Sequence, residues 1–138
     1  MKAFDGVKIF VAIVLLGAST NILAKAPRPE RSFEDKYVKQ FVYSMDHSVP
    51  AVVESSLFVV LQLKNQYPNE NYNEIIEKLD NLANSGPTLS IKYKAQLARL
   101  FFTNYSYFKG INTSSKNGAD EVFKKIAEKI ENNTIAVN

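Results

Sequence analysis

Apolar residues recur along the chain at spacings of three and four, which is the repeat of an amphipathic helix. The pattern predicts helices over residues 33–46, 50–66, 72–84, 89–104 and 119–131. No segment alternates apolar and polar residues for long enough to require a strand. We therefore predict an all-α protein with about five helices in a single domain over residues 32–138.

Residues suited to helix ends stand at the breaks in this pattern. Ser32 and Ser48 can cap the first and second helices, and Thr88 or Ser90 can cap the fourth. Pro50 fits the first turn of the second helix, because the N–H that proline lacks would be unpaired there. These signals favour helices over strands for the β-branched stretches of the chain.

Two segments depart from the simple amphipathic pattern. Residues 57–61 are apolar on nearly every side, which predicts burial on more than one side and a central position for the second helix. Residues 105–115 fit no helix clearly, and the last seven residues are expected to fray.

The N-terminal segment has the layout of a secretory signal peptide. Lys2 and Lys8 come before the apolar run at residues 9–16, and the small residues 17–19 follow it. The run is too short to cross about 30 Å of hydrocarbon. We predict that residues 1–26 are a signal peptide.

Cleavage is expected after Ser19, Ala24 or Ala26. It would leave residues 27–31 as an extended leader, no stable membrane span, and a periplasmic or secreted domain. Asp5 departs from the usual positive region, so an uncleaved anchor and a buried N-terminal helix remain alternatives.

Composition narrows the classes of function. The 46% hydrophobic and 22% charged residues are typical of a globular protein, and the chain has no cysteine. Disulfides, thiolate catalysis and cysteine-ligated metals are therefore excluded. Beyond residue 26 there are 14 basic and 13 acidic residues without a basic stripe, so we expect no nucleic-acid partner.

A weak internal repeat is present. Val52 and Ile91 are 39 residues apart, as are Ser56 and Ala95, and a turn containing proline precedes each stretch. The helix at 72–84 lies between them as the expected partner. An irregular bundle with an accidental spacing is the alternative.

The residues at these positions carry a family resemblance over residues 48–110. Pro50-Ala51-Val52 with Ser56, and Ile91-Lys92 with Ala95 and Ala98, resemble the motif of HEAT-like helical repeats. Val53 and Lys92 stand where that motif has arginine. The segments Val53-Glu54-Ser55 and Ile91-Lys92-Tyr93-Lys94-Ala95 are also similar to small exported proteins of unassigned function from environmental bacteria, a likeness that implies a fold and no activity. The resemblance implies stacked helix pairs.

Candidate catalytic residues are few. His47, the only histidine, lies beside Asp46 at a helix junction, where local capping explains both residues. Glu54 lies within an apolar helix. It could face solvent, form a structural pair with Lys92 or Lys94, or act as an acid or base.

No metal or cofactor site is predicted. Glu34, Asp35 and Asp46, and the acidic turn at 69–74, lack the closing glutamate and spacing of a calcium loop. Without an assembled catalytic set, we predict that the protein is not an enzyme.

The aromatic residues between 101 and 108 are too dense to face inward together on one helix. Tyrosines exposed beside basic residues form good binding surfaces, because Tyr and Arg are enriched at interface hot spots. The predicted patch consists of Tyr93, Arg99, Tyr105, Tyr107 and Phe108. We therefore expect an exported module that binds a protein partner, unidentified, in the cell envelope. A small-ligand carrier or an enzyme with a site between helices is the alternative.

Overall fold

The computed structural model describes the backbone of residues 30–137 and the side chains of residues 30–134. The predicted signal peptide, residues 1–26, lies outside the described residues. The helical domain begins at Arg31. Its regular elements within the described range are all helices, without a strand, which confirms the all-α prediction. Over this same range, no helix combines the length and the apolar character needed to cross a membrane.

Six helices follow one another along the described residues. The first, α1, starts as a π-helix at Glu34–Val38 and continues as an α-helix at Lys39–Met45. The others are α2 (Pro50–Gln66), α3 (Asn73–Ser85), α4 (Leu89–Thr103), the one-turn α5 (Tyr105–Phe108) and α6 (Ala119–Val137), with a 3₁₀ turn at Ser115–Asn117 before α6. The first four predicted helices are therefore present, with ends that differ by at most one residue.

Two of the predicted caps are confirmed. The Ser32 hydroxyl accepts a hydrogen bond from the Asp35 amide at 3.1 Å, and Thr88 Oγ1 accepts one from the Ile91 amide at 3.1 Å. Each satisfies a backbone donor that the first turn of a helix leaves without an internal partner.

The start of α2 differs from the prediction. Val49 is the capping residue and makes no side-chain cap, so the predicted Ser48 cap is wrong. Instead, His47 Nδ1 accepts a hydrogen bond from the Val49 amide at 3.0 Å, which stabilises the turn that leads into the helix. Pro50 occupies the first turn, as expected.

The last helix is longer than predicted. We expected α6 to end near residue 131 and the chain to fray, but the helix continues to Val137. No glycine or proline interrupts residues 132–137, and Thr134 Oγ1 donates to the Ile130 carbonyl at 3.0 Å. With no stop signal, helical hydrogen bonding continues along these residues.

The helices form two antiparallel pairs, α1 with α2 and α3 with α4. Phe33, just before α1, packs against Tyr67, just after α2, with ring centroids 5.3 Å apart. Tyr72, just before α3, packs in the same way against Phe102 at the end of α4, at 5.1 Å. From the repeat we expected helix 72–84 to be the partner of helix 50–66. In the structure, helix 50–66 (α2) packs mainly on α1 and α4 instead.

The two pairs are stacked with α2 and α4 running in the same direction. Glu54 contacts Lys94 near the start of these helices, and Asn65 contacts Tyr105 just past the end of α4. Both contacts join residues 40 positions apart. This offset is close to the 39-residue spacing in the sequence. It places equivalent residues of α2 and α4 side by side.

One continuous core fills the space between the helices. Its largest fully buried side chains are Phe101, Met45, Leu57, Leu61, Ile75, Leu79, Ile91 and Ile126. Leu57 and Leu61 belong to the segment of α2 that was predicted to be central. Each such side chain contributes about 1.5–3 kcal/mol through burial, and without disulfides this packing carries the stability.

Side chains of α2 fix the long loop between α5 and α6. Asn65 donates to the Ile111 carbonyl at 3.1 Å and to Thr113 Oγ1 at 2.9 Å, and it accepts from the Tyr105 hydroxyl at 3.0 Å. Gln62 donates to the Thr113 carbonyl at 2.8 Å. These bonds satisfy polar groups of a partly buried loop and so determine where α6 begins.

Candidate functional site

An apolar groove lies between α4 and the second half of α6. On α4, Tyr93, Leu97 and Leu100 form one stripe at spacings of four and three residues. Ala127 and Ile130 form the facing stripe on α6. These stripes arise because residues one turn apart on a helix share a face, so each wall carries apolar side chains that point into the groove.

The groove contains two hollows that lie one after the other. The first has a volume of about 390 Å³ and is lined by Leu100, Asn104, Tyr107, Phe108, Ile130, Asn133 and Thr134. The second has a volume of about 510 Å³ and is lined by Tyr93, Leu97, Leu100, Ala127, Ile130, Glu131 and Thr134. Leu100, Ile130 and Thr134 belong to both linings, so the hollows are parts of one surface.

The short helix α5 closes one end of this groove. The Tyr107 hydroxyl donates to the Lys129 carbonyl of α6 at 2.9 Å. Lys129 Nζ lies 4.7 Å from the centroid of the Tyr107 ring, and Phe108 packs edge-on against that ring at 4.9 Å. Tyr107 therefore fixes α5 to α6, because both a hydrogen bond and a cation–π contact hold its side chain.

The structure brings together three of the five residues of the predicted patch. Tyr93 is 57% exposed on one wall, Tyr107 is 38% exposed at the closed end, and Phe108 lines the first hollow. Phe108 is nearly buried and belongs to the core, so it contributes to the patch only as part of the wall of the first hollow. Its ring stacks on Phe101 at 6.0 Å.

The other two residues of the predicted patch lie elsewhere. Arg99 turns toward α3, where its Nε lies 3.4 Å from Asp80 Oδ1. The ring of Tyr105 packs on that of Phe101 with centroids 5.6 Å apart, and its hydroxyl donates a hydrogen bond to Asn65. For Arg99, helix geometry explains the difference, because residues six apart, such as Tyr93 and Arg99, face different sides of α4.

Glu54 belongs to a separate site, which is polar and joins α2, α4 and the start of α6. Lys94 Nζ lies 3.0 Å from Glu54 Oε2 and 3.0 Å from Asp120 Oδ1. The structural-pair interpretation of Glu54 is therefore confirmed, with Lys94 as its partner. The adjoining open hollow of about 490 Å³ is also lined by Ser55, Phe58, Val59 and other α2 residues.

The Lys94 ammonium and the neighbouring carboxylates stabilise each other's charged forms. The hydrogen bonds from Lys94 and Ser90 hold the pKa of Glu54 below its ordinary value. Burial alone would lower the pKa of Lys94, but the carboxylates of Asp120 and Glu54 outweigh it and raise the pKa. Both groups are held in their charged forms, which is typical of a structural ion pair and unsuited to proton transfer.

His47 and the acidic residues of the sequence do not assemble into a site. His47 is exposed and caps α2, while Asp46 forms an ion pair with Lys78 of α3. Asp35 forms an ion pair with Lys39, at 2.6 Å. Among the described residues, no three histidine or acidic side chains come together in a way that could hold a metal ion.

The α6 wall of the groove was missed by the sequence interpretation. Ala127 and Ile130 line the groove, but the sequence predicted them only as residues of the helix at 119–131. The sequence does contain an indication of this wall, because the apolar stripe of the last helix continues one turn past the buried Ile126, to Ile130. Sequence spacing alone does not show that the outer turn faces α4 across a gap.

Comparison with known proteins finds no matching family model, no similar curated protein and no similar solved structure.

Proposed function

We propose that this protein is a protein-binding module that uses the groove between α4 and α6. The observation that carries the proposal is the combination of two apolar hollows with the exposed Tyr93 at their rim. Tyrosine supplies a large contact area at low entropic cost and is enriched at interface hot spots. Partners that bury such a groove gain roughly 25 cal/mol for each Å² of apolar surface removed from water.

The chemistry of the groove favours a macromolecular partner over a small substrate. Both hollows are open to solvent along the groove, and only one of their lining residues, Glu131, is charged. A small-ligand site normally encloses most of its ligand and directs several polar groups at it. We therefore propose binding rather than catalysis as the activity of the chain.

The stacked arrangement of α1/α2 and α3/α4 supports a HEAT-like scaffold as the framework for this surface. We further propose that the module acts outside the cytoplasm, since Lys2, Lys8 and the apolar run at 9–16 have the order of an export signal. The predicted partner is then a protein of the cell envelope.

Affinity capture with matched variants tests the proposal. The chain is immobilised as wild type, as Ile130→Glu in the groove, and as Tyr43→Ser on α1, where Tyr43 is 77% exposed and lies outside both hollows. We expect a protein of the producing cell to be retained by the wild type and by Tyr43→Ser, and lost with Ile130→Glu. Equal retention by all three would contradict the proposal.

A further inference from the structure

We infer that the groove receives a single amphipathic helix of the partner, with an apolar stripe that fills the two hollows and a basic residue beside Glu131. This inference deepens the proposed function and rests on it. It specifies the secondary structure and the charge of the bound segment.

The backbone chemistry of the walls excludes an extended peptide as a good occupant. Both walls are helices, whose backbone N–H and C=O groups bond within the helix and leave no sheet edge for a strand to join. A helix pairs its own backbone internally and needs only side-chain contacts from the groove.

Three polar side chains in the groove already donate hydrogen bonds within the chain. Asn104 donates to the Leu100 carbonyl at 3.2 Å, Thr134 donates to the Ile130 carbonyl at 3.0 Å, and Tyr107 donates to the Lys129 carbonyl at 2.9 Å. An extended chain has backbone N–H and C=O groups without internal partners, and each one buried against the apolar part of the walls would cost roughly 1–3 kcal/mol.

The two hollows adjoin along the groove. On the α4 side the first hollow is lined by Leu100 of α4 and by Asn104, which follows the helix, and the second by Tyr93, Leu97 and Leu100. Leu100, Ile130 and Thr134 line both hollows. Because the hollows adjoin, neighbouring side chains at i and i+3 or i+4 on one face of a bound helix, roughly 5–6 Å apart, can enter both.

Charge specifies the flank of the bound helix. Glu131 is the one charged residue among the linings of the two hollows, and it lines the second. A lysine or arginine of the partner placed beside it would gain a partly desolvated ion pair, and an acidic residue there would be repelled.

Peptide selection tests the inference without knowledge of the natural partner. Two displayed libraries are selected on the full chain: helix-forming peptides that vary on one face, and proline-stiffened extended peptides of equal length. We expect enrichment of helical peptides with apolar residues at spacings of three, four or seven and a flanking Lys or Arg. Their affinity should fall about tenfold with Tyr93→Ser or Ile130→Glu and severalfold with Glu131→Gln, while Tyr43→Ser leaves it unchanged.

The outcomes separate the two levels of the proposal. Enrichment of extended peptides whose binding depends on Ile130 would overturn the helical occupant and leave protein binding by the groove intact. Helical peptides that bind Tyr93→Ser and Ile130→Glu as tightly as wild type would overturn both. Failure of the helical library to yield any groove-dependent binder would overturn the inference. Thermal unfolding of each variant, followed by circular dichroism, shows that the helices are retained.

Discussion

Glu54 of α2 and Lys94 of α4 form an ion pair at 3.0 Å across helices that run in the same direction. The same lysine reaches Asp120 at the start of α6, so one ammonium group links three helices. Because α6 forms one wall of the groove, this contact helps to fix that wall relative to α4.

The first prediction concerns Lys94→Met. The Glu54 pKa lies below its ordinary value of 4.5, so its contribution is present above pH 4.5 and is lost as pH falls through the lowered value. The Lys94 pKa is raised, so its contribution is present below 10.5 and is lost as pH rises through the raised value. We expect a loss of about 1 kcal/mol near neutral pH that shrinks near pH 3.

Urea unfolding measures this difference, and Lys124→Met is the matched control. Lys124 Nζ lies 3.9 Å from Glu128 on an exposed surface of α6, so its removal should change stability by less than about 0.5 kcal/mol. A loss for Lys94→Met that is the same at both pH values would show that the pairing is not its cause.

The second prediction concerns Gly86, where the chain turns from α3 toward α4. A Cβ atom at Gly86 would lie 2.6 Å from the Leu82 carbonyl oxygen and 3.0 Å from an Ile91 methyl group. Because the first of these atoms is backbone, Gly86→Ala must shift α3 or α4, at roughly 1–3 kcal/mol. Gly110→Ala is the control, since a Cβ there meets no atom within 4 Å. Equal thermal stability of the two variants would contradict this account of the turn.

The third prediction concerns Tyr72, whose hydroxyl donates to the carbonyls of Leu63 and Tyr67 at 3.1 and 2.7 Å. Burial raises the pKa of this hydroxyl well above its ordinary value of 10.0. The unfolded chain ionises it first, so the free energy of unfolding should fall as pH rises beyond about 10.

Tyr72→Phe should cost about 1–2 kcal/mol near neutral pH and should make the alkaline decline shallower than in wild type. Tyr43→Phe, which changes an exposed ring, should leave both the stability and the slope unchanged. Denaturant unfolding at a series of pH values checks this, and an identical alkaline slope in Tyr72→Phe and wild type would refute it.

The fourth prediction concerns the loop before α6. Asn65→Ala removes bonds to Ile111, Thr113 and Tyr105, so buried polar groups lose their partners and stability falls by roughly 1–3 kcal/mol. The exposed Gln96 of α4 supplies the control Gln96→Ala, which should be nearly neutral. Amide hydrogen exchange should quicken at residues 111–113 in Asn65→Ala, and unchanged exchange there would contradict the anchoring role.

The sequence predicted the helices well because their signals are local. Thr88 bonds the Ile91 amide three residues away, and the apolar spacing of each helix is visible within the helix itself. Which helices pack together was harder to predict from the sequence. Helix 72–84 pairs with α4 through contacts such as Tyr72 with Phe102, which are distant in sequence.

Only part of the candidate site could be predicted, because its geometry also depends on contacts between residues distant in sequence. Tyr93 and Tyr107 were singled out by residue type, but Arg99 turns toward Asp80, and Phe108 enters the core. The groove itself depends on how far α6 stands from α4, and that separation is set by tertiary contacts such as Lys94 with Asp120. Composition and spacing within one helix contain no information about this gap.

Site-specific photo-cross-linking tests the groove most directly. A photoreactive phenylalanine analogue replaces Tyr93 at the rim, or Tyr43 on α1 as the matched position, in the chain as its own cells produce it. We predict a defined adduct with a second protein from position 93 and none from position 43. Adducts from position 43 alone, or an equal set from both positions, would contradict a binding surface between α4 and α6.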